Sequence, residues 1–128
     1  MKLLLDTHAV LWWLTQSDRL SARAKTAIAE RRDIVFVSAA TAWEITTKVR
    51  LGKLPEGVEI AEDLPKVMAA QGFEPLDVTF EHATLAGRLD HDHRDPFDRM
   101  LIAQALVDGL VLVSNERLFD RFGVARLW

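Results

Sequence analysis

Apolar residues in this 128-residue chain fall into two alternating kinds of run. Short unbroken runs at 2–5, 34–37 and 110–113 have the length and Leu/Val/Ile content of strands buried on both faces. Longer stretches between them place apolar residues every three or four positions, the period of a helix with one face inward. This spacing predicts helices over 9–15, 22–31, 39–50, 79–88 and 96–107, with a short helical turn over 117–121. Ser21, Ser38, Thr79 and Asp95 precede four of these as caps, and Gly52, Gly72 and Gly109 stop elements. Between 56 and 71 an irregular entry leads into a further helix, and 73–76 and 124–127 complete the strands, the last as an edge strand. The inward stripes are expected to be Ala24, Ala27 and Ile28; Ala42, Ile45 and Val49 with Trp43; Ile60, Leu64, Val67 and Met68; and Phe80, Ala83, Leu85 and Ala86. Strands alternating with helices imply an α/β fold: a three-layer α/β/α sandwich with a central, mainly parallel sheet and right-handed crossovers. No repeat, linker or glycine-rich phosphate loop divides it, so 1–128 is read as one domain.

Composition narrows the chemistry more than the fold. At 49% hydrophobic, the chain can bury a core without staples. It has no cysteine, which excludes disulfides and thiolate zinc, so any metal must be held by oxygen or imidazole. The longest apolar run is too short for a bilayer, and Met1-Lys2 leads into a strand rather than a secretory signal, which gives a cytoplasmic expectation without membrane contact. A net charge of −3 argues against a general nucleic-acid-coating surface while leaving room for a local basic rim.

The acidic residues stand at telling places. Asp6 ends the first strand, Ser114-Asn115-Glu116 ends another, and open parallel sheets bind ligands at that edge. The run from His91 to Arg99 crowds carboxylates, histidines and arginines against an apolar helix. Its simplest explanation is capping, with Asp95 at the N-cap, Pro96 first in the helix and Asp98 in the electropositive first turn. Likewise Asp6 or Thr7 can cap the helix that follows, and Glu44 can pair with Lys48 on a solvated face. If the strands are neighbours, however, Asp6, Asp98, Glu116 and Glu44 meet at one edge. Four converging carboxylates require a cation or protonation, and an all-oxygen cluster suits Mg²⁺ or Mn²⁺. Such a site can activate water against a phosphodiester, with Arg94 and Arg99 as forked phosphate donors unless each is a surface ion pair. His91 and His93 are loop histidines of the same run, more readily read as without a role. Trp12 and Trp13 read as core and subunit-contact surface.

These residues together resemble the PIN-domain ribonucleases, and among them the VapC-like toxins of type II toxin–antitoxin systems. The resemblance covers nearly the whole chain. It rests on Leu4-Leu5-Asp6-Thr7-His8-Ala9, on Ser38-Ala39-Ala40 with Ala42-Trp43-Glu44-Ile45, on His93-Arg94-Asp95-Pro96-Phe97-Asp98-Arg99, and on Leu112-Val113-Ser114-Asn115-Glu116. It implies Asp6, Glu44 and Asp98 as metal-site residues, Ser114 as their support, and Glu116 at a fourth acidic position where the family commonly has aspartate. The longer Glu116 would act through water or share the role with Asn115. The resemblance further implies Mg²⁺ or Mn²⁺ dependence, endonucleolytic cleavage of RNA, homodimerisation, and inhibition by a small cognate antitoxin. Two other readings compete. One is a PIN-fold regulatory or antitoxin-binding protein with a decayed site, motivated by Glu116. The other is a phosphatase or receiver-like domain phosphorylated on Asp6, which lacks a second aspartate beside Asp6 and a supporting lysine.

Overall fold

A computed structural model describes residues 1–30, 34–90 and 92–128. Two of the expectations above, a helix end at Arg31 and a part for His91, concern residues outside that set. Five strands form one parallel sheet in the order β3-β2-β1-β4-β5: β1 (Leu3–Leu5), β2 (Val35–Ser38), β3 (Glu74–Leu76), β4 (Val111–Val113) and β5 (Ala125–Leu127). β1 lies at the centre, with Leu5 in register with Val37 on one side and Val113 on the other.

Because both faces of β1 are covered, all three of its residues are apolar and buried, with no polar alternation. Leu3 and Leu5 face a core built with Val10, Leu20, Ala24 and Ile28 from α1 (Thr7–Leu14), α2 (Ala22–Glu30) and the turn between them. Leu4 points the other way, into a second core with Leu101, Ile102, Ala105, Leu112 and Phe119. The three layers follow from that alternation of neighbouring side chains.

The remaining helices are α3 (Ala39–Arg50), α4 (Val58–Ala61), α5 (Leu64–Ala70), α6 (Phe80–Arg88) and α7 (Pro96–Asp108), and 3₁₀ helices span Pro55–Gly57 and Arg117–Phe122. Ile45 of α3 joins Leu11, Leu54 and Leu64 in a third cluster beside the sheet. Ser38 and Thr79 cap α3 and α6 as their spacing predicts, and Gly109 ends α7 in the left-handed conformation at φ 65°. Among the described residues no helix is long and apolar enough to cross a membrane.

Two inward stripes differ from the sequence reading. Trp43 is 65% exposed and makes a T-shaped ring contact with Phe97 of α7, so it is not a core residue. On α6, Phe80 is 93% exposed and Ala83 also faces out. The buried or half-buried positions are instead His82, Leu85, Ala86 and Leu89, an i, i+3, i+4, i+7 stripe that starts on a polar residue. His82 belongs there because its ring is fully engaged: Nδ1 accepts from the Thr79 N–H, and Nε2 meets Asp108 Oδ2 at 3.0 Å.

Candidate active site

The chain runs outward from β1 through β2 to β3 and then returns to the other side of β1 for β4 and β5. The reversal falls between β1 and β4, and a crevice opens outside their carboxyl ends. The residue after each strand therefore matters: Asp6 follows Leu5 and Ser114 follows Val113. The Asp6 N–H donates to the Val113 carbonyl at 3.1 Å, which ties the two strand ends together.

Asp6 is both cap and cleft residue. Its Oδ1 accepts from the Ala9 N–H at 2.7 Å, starting α1, while the side chain lines a cleft of about 270 Å³. Burial pushes its carboxyl above the usual range, against the hydrogen bonds from Ser114 and Ala9 that favour the charged form. Thr7, one residue on, donates its hydroxyl to Glu44 Oε1 and sits 3.5 Å from the hydroxyl of Thr41. Glu44 enters from α3, is buried, and its other oxygen accepts from the ammonium of Lys48. The predicted Glu44–Lys48 pair thus exists, but at the wall of the cleft and not on a solvated face.

The third element is the start of α7. Asp95 caps it, one carboxylate oxygen accepting from the N–H groups of Phe97 at 2.9 Å and Asp98 at 3.2 Å. That cap, with Pro96 preset for the first turn, aims Asp98 into the same cleft. Burial raises the Asp98 carboxyl to about 6, helped by the nearby Asp95 and Glu44 and opposed by His93. His93 Nε2 lies 2.9 Å from Asp98 Oδ2, with its ring edge-on to Phe119 and Phe122.

Asp6, Thr7, Glu44, Asp95, Asp98, Asn115 and Glu116 therefore line one cleft, with His8 and Trp12 stacked on each other at its side. Ser114 lies beneath it, fully buried, its hydroxyl bonded to Asp6 and accepting from the Glu116 N–H. Glu116 is exposed and caps the 3₁₀ helix through the Leu118 N–H. Among the described residues no three Asp, Glu or His side chains are drawn together as a ready-made metal-ligand set.

The two arginines separate. Arg99 spends its guanidinium on the backbone, donating to the carbonyls of Ala86, His93 and Leu89 at 2.9, 3.0 and 2.7 Å, which makes it a tie between α7 and the chain before it. Arg94 is exposed and lines an adjoining pocket of about 380 Å³ with His93 and Arg121. Sequence reasoning missed Thr41, although it lies three residues before Glu44 on the same face of α3. It also set His93 aside, and no spacing signal marks that residue, because its contact with Asp98 depends on how the loop turns into α7.

The PIN domain family pattern matches residues 3–125. This chain belongs to the PIN-domain family. Among relatives of this PIN-domain protein, Ribonuclease VapC22 of Mycobacterium tuberculosis is 29% identical over 115 residues, which is 89% of this chain and 86% of that protein. Ribonuclease VapC16 of the same organism is 38% identical over 68 residues, half of this chain and 48% of that one. The fold matches that in the crystal structure of VapBC2 from Rickettsia felis bound to a promoter DNA fragment, with a TM-score of 0.74 at 14% identity, covering 100% of this chain and 99% of that one. It also matches FitAcB from Neisseria gonorrhoeae, with a TM-score of 0.71 at 20% identity over 98% and 96% of the two chains. The chain is thus a VapC-like PIN domain, as its motifs suggest.

Proposed function

We propose that this PIN-domain protein is an Mg²⁺- or Mn²⁺-dependent endoribonuclease, the cytoplasmic, homodimeric toxin of a pair whose partner is a small antitoxin. The observation that carries the activity is the gathering of Asp6, Glu44 and Asp98, from three separate elements, around one cleft at the sheet's switch point. Likeness to a protein named Ribonuclease VapC22 supports RNA as substrate, and likeness to VapBC complexes supports an antitoxin partner.

The donor chemistry fits a hard divalent cation. The lining is carboxylate-rich and free of thiols, and burial holds Asp6 and Asp98 both above their ordinary range. Asp6, Glu44 and Asp98 would hold the ion, and in that position it would acidify a water and offset the charge that builds on an attacked phosphodiester. The chain's own residues prepare this. Thr7 fixes the rotamer of Glu44, Ser114 fixes Asp6, and the Asp95 cap fixes the approach of Asp98. Arg94, in a pocket it shares with Arg121, Asp90 and Asp92, offers a forked donor to RNA phosphates. Glu116 and Asn115 stand at the rim and act through water.

Purified protein should cut structured RNA in Mg²⁺ or Mn²⁺. Asp6→Asn and Asp98→Asn should each lower the rate by more than the roughly 10–100-fold typical of losing a supporting contact around a metal. Undiminished cutting in excess chelator would exclude the reading. One observation favours a catalytically decayed, antitoxin-binding protein instead: the Glu116 carboxylate is used as a helix cap. That alternative requires no cleavage in either metal while antitoxin binding persists.

A further inference from the structure

Lys48 is the one lysine or arginine among the described residues that lines the acidic cleft, which it shares with Asp6, Glu44, Asp95, Asp98 and Glu116. An ordinary i,i+4 pair lies on one helix surface in water and contributes little. This one differs in two respects. The Glu44 side chain is only 5% exposed against 37% for Lys48, so the ammonium reaches in from the cleft mouth to a buried carboxylate. The other Glu44 oxygen is already taken by the Thr7 hydroxyl, which leaves no oxygen of Glu44 without a partner. A buried carboxylate stripped of its cation is costly, so something must neutralise Glu44 at all times.

We propose that Lys48 is the resident counter-cation of the cleft, holding Glu44 neutralised until a divalent ion displaces it, so that the ammonium and the ion compete for one carboxylate. This rests on the reading that the cleft takes such an ion. The same displacement turns the ammonium out to the cleft mouth, where incoming RNA phosphates would meet it. Lys48 is thus a positioning residue that makes metal loading conditional.

The test is calorimetric titration of Mn²⁺ into RNA-free protein, comparing wild type with Lys48→Met and Lys48→Arg. Removing a competitor worth on the order of 1 kcal/mol should tighten Mn²⁺ binding roughly fivefold in Lys48→Met, while Lys48→Arg, which keeps the pairing, stays near wild type. Equal or weaker binding by Lys48→Met overturns the proposal. If that result accompanies metal-dependent RNA cleavage by the wild type, only the role of Lys48 fails. If no variant binds Mn²⁺ and wild type does not cleave RNA, the metal reading fails with it. A second measurement needs no substitution, so it decides the matter if Lys48→Met does not fold. Acetylation of Lys48 in the wild-type protein, followed by mass spectrometry, should speed up when Mg²⁺ is added, and an unchanged rate overturns the proposal.

Discussion

Asp98 is pulled two ways, because its place in the cleft serves the proposed chemistry and works against the stability of the chain. A carboxyl raised from 3.8 in the unfolded state to about 6 in the fold is protonated in the folded protein and ionised in the unfolded chain between those values. The folded state then binds more protons, so its stability falls as pH rises through that window and the loss is complete above it. Asp98→Asn, melted in chelator, should therefore be more stable than wild type at pH 8, by about 3–6 °C, with the difference closing as pH falls through 6 towards 4. Thermal unfolding across pH measures it directly. The arginines give a second contrast. Arg99→Met removes a charged donor from three carbonyls and should cost about 2–3 kcal/mol in urea unfolding, whereas Arg94→Ala should leave stability within about 0.5 kcal/mol and weaken RNA binding. At this scale the sequence revealed the acids and misassigned part of the base chemistry. Asp6 and Asp98 were legible because a strand end and a helix start mark them, whereas Glu44, inside α3, was legible only through the motif resemblance. The duty of Arg99 was not, because its acceptors are carbonyls of distant residues and carry no side-chain signature.

Among the elements, α7 was legible almost to the residue, since cap, proline and glycine all mark its ends. Asp95→Ala removes the acceptor of two N–H groups and should destabilise the protein by about 1–2 kcal/mol, seen as a lower urea midpoint with an unchanged slope. RNA cleavage should drop as well, because the same cap orients Asp98. The helix α6 was harder to read. Its inward stripe begins at His82, and a reading that follows apolar residues turns toward Phe80 because nothing in the sequence shows that Asp108 of α7 awaits the imidazole. Trp43 misled for a related reason: a large aromatic in a helix implies burial, yet this one is largely exposed beside Phe97.

For the whole molecule, alternation of strand and helix was enough to infer a parallel three-layer sheet, while the order of the strands was not available from periodicity. That order decides function, since it puts β1 between β2 and β4 and creates the crevice. It also grades stability across the sheet. β1 is buried at every position, whereas Glu74 and Pro75 of the edge strand β3 are exposed. Amide hydrogen exchange should accordingly be slowest at Leu4 and Leu5, opening only with global unfolding, and much faster at Glu74 and Leu76.

The register around Leu5 has one more consequence, for the lengths the chain can tolerate. Asp6 reaches the cleft because it is counted off from Leu3, Leu4 and Leu5, each held to a numbered partner in β2 and β4. One residue inserted between Leu5 and Asp6 would move the carboxylate about 3.3 Å along the strand and turn it to the opposite face, with every amino acid still present. An insertion of the same size between Leu51 and Pro55, far along the chain from either strand, would change no such count. Evolution can therefore lengthen this protein at its loops, but the distance in residues from strand to acid is fixed by the geometry of a single step.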